Sequence, residues 1–118
     1  MSGSPEELRQ RTKAFAIRIV KLFRTLPRTT DAEVIGRQLL RSGTAVGANY
    51  RAACRARSRA EFASKLGIVV EEADETIYWL ELLAETGTVP MDRLDGILRE
   101  AHELTAIFTA ARQTTRSG

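Results

Sequence analysis

The sequence predicts an all-α fold, namely an up-down-up-down antiparallel four-helix bundle formed by a single domain over residues 1–118. Glycine, proline and capping residues divide the chain into four segments. Within each segment the apolar residues recur at alternating steps of three and four, the spacing of a bundle helix, and no strand-like alternation competes with it. A domain of this length can bury roughly 65% of its extended surface, so it needs neither a metal nor a disulfide to form a core.

The first two helices are defined mainly by their ends. The first is predicted over about 5–26, because Pro5 suits a first helical turn and Pro27 ends the helix. The second is predicted over 31–53, with Asp31 as its N-cap. Its core stripe is expected to consist of Ile35, Leu39, Ser42, Val46, Asn49 and Ala53.

The third and fourth helices have equally clear boundaries. The third is predicted over 58–86, because Ser58 and Glu61 have the spacing of a capping box and Gly87 supplies a left-handed stop. The fourth is predicted over 90–113, and it opens at a proline. With short turns between all four segments, consecutive helices should run antiparallel.

Two polar residues, Ser42 and Asn49, fall on the predicted core stripe of the second helix. The favoured interpretation is that they form hydrogen bonds across the bundle and fix its register, since buried polar groups usually find partners. A ligand-binding or catalytic role is the alternative.

The third helix carries more apolar residues than one core stripe requires. This surplus predicts a second buried surface and therefore self-association; the alternative is that a wide stripe simply packs a small bundle. The residues of this predicted oligomer interface are Val70, Ile77, Tyr78, Trp79 and Leu82.

Two segments carry a family resemblance. One is the run from Leu40 to Arg51, LRSGTAVGANYR, and the other extends from Ser58 to Leu80. In the second, the matching residues are Ser58, Glu61, Phe62, Lys65, Leu66, Glu72, Ala73, Glu75, Thr76, Tyr78, Trp79 and Leu80. Together they resemble the bacterial four-helix-bundle proteins encoded in intervening sequences of 23S ribosomal RNA, to which the accessory protein of diversity-generating retroelements is similar. Ala52 departs from the pattern, in which a glutamate is often expected.

The resemblance implies several properties beyond the fold. It implies a homopentameric ring and no known catalytic activity. In the retroelement branch it also implies a basic surface that binds nucleic acid and a partner reverse transcriptase. The matching residues do not distinguish the two branches.

The charges are divided unevenly along the chain. Residues 1–70 contain 14 Lys and Arg against 5 Asp and Glu, whereas residues 71–118 contain 4 against 10. In the predicted bundle the basic residues gather at the end formed by the second turn, and arginines there suit bidentate contact with phosphate. The residues predicted to contact RNA or DNA are Arg9, Arg11, Lys13, Arg18, Lys21, Arg51, Arg55, Arg57 and Arg59, with Arg112 and Arg116 nearby.

Some of the basic residues are expected to pair with acids instead of phosphate. Antiparallel packing of the second and third helices should set Arg41 opposite Glu71 and Glu72, and Arg37 opposite Glu75. A charged surface that is merely solvated remains the alternative for the rest.

No catalytic, metal or cofactor site is predicted. A di-iron bundle needs two Glu-x-x-His pairs, but His102 is the one histidine, and Cys54 is the one cysteine and has no partner motif. A single cysteine suits a reducing cytoplasm, and neither a secretion signal nor a membrane-spanning stretch is recognised. We therefore expect a non-enzymatic, oligomeric nucleic-acid-binding accessory protein, the alternative being a protein-interaction scaffold.

Overall fold

A computed structural model describes residues 3–117 as four antiparallel helices. Helix α1 packs against α2, α2 against α3 and α3 against α4, and the start of α4 returns to the end of α1, where Arg93 Nη2 donates to Thr25 Oγ1 over 2.9 Å. This confirms the predicted up-down-up-down bundle. Residues 1, 2 and 118, which the predicted domain includes, lie outside the described residues. The helices are α1 (Pro5–Arg24), α2 (Thr30–Cys54), α3 (Arg59–Glu85) and α4 (Met91–Ser117).

The first two helices begin at hydroxyl caps. Ser4 and Glu7 form a reciprocal capping box, because Ser4 Oγ accepts from the Glu7 N–H and Glu7 Oε1 accepts from the Ser4 N–H. In α2 the N-cap is Thr29, whose Oγ1 accepts from the Ala32 N–H over 3.3 Å. The prediction of Asp31 as the cap was therefore wrong by two residues, and Asp31 lies instead in the first turn, where its charge favours the helix dipole.

Both ends of α3 follow the sequence pattern. Ser58 Oγ accepts from the Glu61 N–H over 3.0 Å. At the other end the Thr88 N–H donates to the Leu83 carbonyl over 3.0 Å, and Gly87 has a φ of +73°. This is a Schellman motif, which a residue without Cβ completes at low cost.

Helix α4 is longer than predicted and ends at Ser117 rather than near 113. No glycine or proline follows Gly96 within the helix, so nothing local stops it. The last turn also has a tertiary contact, because Arg59 Nη2 donates to the Thr115 carbonyl over 3.1 Å. The extra turn brings the end of α4 alongside the start of α3.

The core runs the length of the bundle and contains one polar contact between α2 and α3. Ser42 and Thr76 are both fully buried, and their hydroxyl oxygens lie 3.0 Å apart. Asn49, in contrast, is half-buried, and its Nδ2 donates to the Ala45 carbonyl of its own helix over 2.9 Å. The structure thus contradicts the placement of Asn49 in the core. Tyr50 takes that position, because the stripe follows 3.6 residues per turn rather than a strict heptad.

Candidate nucleic-acid interface

The turn between α2 and α3, the start of α1 and the end of α4 meet at one end of the bundle. Arg59 of α3 donates a hydrogen bond to the Thr115 carbonyl of α4, and the guanidinium of Arg9 on α1 lies beside the thiol of Cys54 on α2. Arginine is charged at any physiological pH, and the contacts with the thiol and with Glu6 raise the pKa of Arg9 further. The antiparallel order therefore brings basic residues from distant parts of the sequence to one surface.

Four arginines around this turn form a surface that we call the arginine tip. All four are exposed, and Arg57 is exposed to 91%. Among residues 3–117, the one carboxylate within 4.0 Å of any of them is Glu61, 3.7 Å from Arg57. A pair at that distance and exposure contributes little, so the positive charge is almost uncompensated. The tip consists of Arg51, Arg55, Arg57 and Arg59.

The predicted basic residues of α1 do not form one surface. Arg11 makes a bidentate contact with Glu100 of α4, at 3.0 and 2.6 Å, and also reaches Glu103 at 2.7 Å. These carboxylates raise its pKa and neutralise its charge, so Arg11 belongs to the α1–α4 contact. Arg18 also lies towards α4, with its guanidinium over Gly96.

Lys13 and Lys21 lie on the outer side of α1 and are exposed. No carboxylate of residues 3–117 lies within ion-pair distance of either lysine. Arg24, which was not among the predicted contacts, lines the same depression as these two lysines. Its spacing from Lys21, one turn along the helix, is the signal that could have found it.

The chain matches the family described as 23S rRNA-intervening sequence protein over residues 6–110. The chain belongs to this family. It is also similar to the crystal structure of a protein of unknown function from the S23 ribosomal protein family of Bacteroides thetaiotaomicron. That protein shares 36% sequence identity with a TM-score of 0.86, and the alignment covers 96% of this chain and 99% of that one. No curated protein sequence matches significantly. The predicted resemblance to the intervening-sequence family is confirmed, whereas the similarity to retroelement accessory proteins stays a prediction.

In this member of the intervening-sequence family, the predicted oligomer interface on α3 is only partly exposed. Ile77 is exposed to 7% and Val70 packs against the core, so both serve the protomer itself. Leu82, like Val70, is half-buried and packs against the core. Tyr78 is exposed to 56%, and its ring lies edge-on to that of Trp79 with centroids 4.9 Å apart. These five residues therefore offer a partner less apolar surface than the sequence indicated.

A polar network borders this aromatic pair. Arg41 of α2 contacts both Glu72 and Glu75 of α3, and Trp79 Nε1 donates to Glu75 over 3.1 Å. The predicted pairing of Arg41 is confirmed for Glu72 but not for Glu71, which forms no ion pair with it among residues 3–117. The predicted pairing of Arg37 with Glu75 was wrong. Arg37 lies one turn from Arg41 and is 3.7 Å from Glu33 on its own helix.

Protonation of Glu75 should be visible in the fluorescence of Trp79, the one tryptophan. The indole N–H and Arg41 hold the pKa of Glu75 below its ordinary value of 4.5. A lowered folded-state pKa stabilises the protein above the unfolded value, and this contribution is lost as pH falls through the folded value. We therefore expect a fluorescence transition with a midpoint below 4.5 while circular dichroism still reports a folded helix bundle.

Two variants control this titration. Glu75→Gln should abolish the transition, and Glu71→Gln, an exposed neighbour on the same helix, should preserve it. Equal transitions in both variants would show that the signal comes from another group.

The described residues were also compared with the requirements of a metal site and of a membrane-spanning helix. Residues 3–117 contain no group of three or more His, Cys, Asp or Glu side chains placed to hold a metal ion. Within the same range, no helix is long and apolar enough to cross a bilayer.

Proposed function

We propose that this intervening-sequence family member is a non-enzymatic protein that binds RNA or DNA through the arginine tip. The observation that carries the proposal is the exposure of Arg51, Arg55, Arg57 and Arg59 on one surface with a single distant carboxylate among them. Such a cluster raises the local potential, and phosphates that approach it release condensed counterions. A cytoplasmic location, expected from the single cysteine, goes with this function.

The shape of the tip favours backbone contact over base reading. Its arginines surround the turn between two helices, so no single exposed helix face carries them into a groove. Arginine is suited to phosphate because its planar donors contact two oxygens at once. We therefore expect binding that depends strongly on salt and weakly on sequence.

The double variant Arg55→Glu/Arg57→Glu tests this proposal. Neither side chain donates a hydrogen bond to another of the described residues, so the fold should be unaffected. Fluorescence anisotropy with labelled single- and double-stranded RNA and DNA should show affinity reduced by about tenfold or more at low salt. The slope of log affinity against log salt should fall by about 2, one for each lost phosphate contact.

The matched control is Arg28→Glu/Arg99→Glu, which makes the same charge change at exposed positions away from the tip. It should retain the wild-type salt slope and most of the affinity. If the wild-type protein is folded and binds none of the four nucleic acids at low salt, the proposal is wrong. Equal losses in both double variants would mean that net charge, rather than the tip, determines binding.

The second candidate function is that of a protein-interaction scaffold, in which the basic surface is incidental. The exposed Tyr78 and the adjacent Trp79 favour it, because aromatic residues are enriched in interfaces. Self-association into a homopentamer, or docking of a reverse transcriptase, would use such a surface. Apolar docking is distinguished from phosphate binding by its weak dependence on salt.

A further inference from the structure

A small cleft lies between α1 and α2 next to the arginine tip. Its volume is about 180 Å³, which is below the range of sites for drug-sized ligands and suits an ion with a few waters. Three cations line it, namely Arg9, Lys13 and Arg51, together with Thr12, Ala16, Thr44, Gly47 and Ala48. No carboxylate is among the lining residues.

The cleft is shaped by small residues on both helices. A Cβ placed on Gly47 would lie 3.2 Å from Thr12 Oγ1 and 3.3 Å from the Thr12 backbone carbon, so glycine lets α1 and α2 approach closely at the floor. Ala16 and Ala48 add only methyl groups to the walls. The cleft is therefore an open space between the two helices, and the three cationic residues are among those that line it.

The charges around this space are only partly balanced from within the protein. Lys13 and Arg51 have no carboxylate of residues 3–117 within 4.0 Å, and Arg9 pairs only with the exposed Glu6 at 2.9 Å. The lining threonines do not supply further donors, because Thr12 Oγ1 donates to the Leu8 carbonyl and Thr44 Oγ1 to the Leu40 carbonyl. The positive charges of Lys13 and Arg51 therefore repel each other, and an anion bound between them would offset this repulsion.

A longer depression along α1 borders the cleft. That depression shares Lys13 and Ala16 with the cleft and continues past Ile17 and Val20 to Lys21 and Arg24. Lys21 lies eight residues from Lys13, or about 12 Å along the helix. A chain of phosphates that enters the cleft therefore meets further cations, whereas a free phosphate would occupy the cleft alone.

We propose that the α1–α2 cleft binds one phosphate group through Arg9, Lys13 and Arg51. This deepens the proposed function, because the phosphate would be one of a nucleic-acid backbone whose neighbours contact the arginine tip and the lysines of α1. A tetrahedral oxyanion suits the site, because cationic residues of both helices line one small volume that no carboxylate lines. No aromatic side chain lines the cleft, so it offers a base no stacking surface and selects phosphate instead.

The test is a variant that fills the cleft without changing any charge. Ala48 is exposed on α2 at the wall of the cleft, so Ala48→Leu should fold normally and exclude the anion. Ala106→Leu makes the same change at an exposed position of α4 and serves as the control. A third variant, Lys13→Gln/Arg51→Gln, removes two ligands and leaves the cleft open.

The first measurement is thermal unfolding in sodium phosphate against sodium chloride of equal ionic strength. The wild type, Ala106→Leu and Arg55→Glu/Arg57→Glu should gain about 4 °C or more once phosphate is well above its dissociation constant. Ala48→Leu and Lys13→Gln/Arg51→Gln should gain nothing beyond the chloride control. The second measurement is anisotropy with single-stranded DNA, in which Ala48→Leu should lower the salt slope by about 1.

The outcomes separate this site from the tip. If phosphate raises the unfolding temperature of the wild type and of Ala48→Leu equally, the cleft does not bind phosphate. The cleft site is also overturned if phosphate stabilises neither protein and Ala48→Leu binds DNA as the wild type does. In that last case the tip alone binds nucleic acid. A phosphate effect that Ala48→Leu abolishes, in a protein that binds no nucleic acid, would support the cleft as a site for free phosphate and overturn the function proposed for the tip.

Discussion

Replacing Phe108 with alanine is expected to lower the free energy of unfolding by about 3 to 5 kcal/mol. Phe108 has no exposed surface, and its ring lies against that of Tyr50 with centroids 4.9 Å apart and planes tilted by 45°. The truncation removes this contact between α4 and α2 and leaves a cavity. Domains of this kind are stable by about 5 to 15 kcal/mol in total, so the loss should be a large share.

Urea unfolding followed by circular dichroism measures this effect, and Tyr78→Ala is the matched aromatic control. Tyr78 is exposed to 56%, so its truncation in the protomer should cost less than about 1 kcal/mol. A loss for Tyr78→Ala that depends on protein concentration would instead indicate an oligomer interface at this residue. Similar, concentration-independent losses for both variants would contradict the position of Phe108 in the core.

The same contact connects the core to the candidate interface. Tyr50 immediately precedes Arg51, and Phe108 packs against it from α4. Burial raises the pKa of Tyr50, so its phenol stays neutral beside the basic surface. The position of Arg51, which serves both the tip and the cleft, therefore depends on aromatic packing below it.

The ends of the helices could be predicted from the sequence wherever a local residue signal terminates the helix. Pro27 and Gly87 act through backbone conformation alone, so the first turn and the end of α3 were predictable. The end of α4 was not, because it is prolonged by a contact between Arg59 and Thr115, 56 residues apart in the sequence. Asn49 was misplaced because a heptad and a 3.6-residue period differ by almost one position along α2.

The location of the candidate site could be predicted from the sequence, but the ion pairs of its arginines could not. Antiparallel order alone places Arg9 and Arg51 at one end of the bundle. The partner of a long arginine side chain depends on helix rotation, however, and Arg11 reaches Glu100 across 89 residues of sequence. The cleft could not be predicted from the sequence, because its shape depends on how closely α1 and α2 approach at Gly47.

Replacing Gly43 with alanine is expected to destabilise the protein by about 2 kcal/mol, although alanine is the better helix former by about 1 kcal/mol. A Cβ on Gly43 would lie 2.7 Å from Cγ1 and 2.9 Å from Cγ2 of Ile19. Ile19 is fully buried and branched at Cβ, so it cannot rotate away and α1 must shift from α2. Overpacking therefore outweighs the gain in helix propensity.

Gly96→Ala is the control that separates the effect of helix propensity from that of overpacking. Gly96 lies on an exposed face of α4, and the one atom near its added Cβ is Nη2 of Arg18, the end of a flexible side chain that can move. There the propensity gain should dominate, and stability should rise by up to about 1 kcal/mol. Chemical unfolding of the two variants should thus give changes of opposite sign that differ by about 3 kcal/mol. Stabilisation by Gly43→Ala would show that α1 and α2 do not pack as closely at Ile19 as the structure places them.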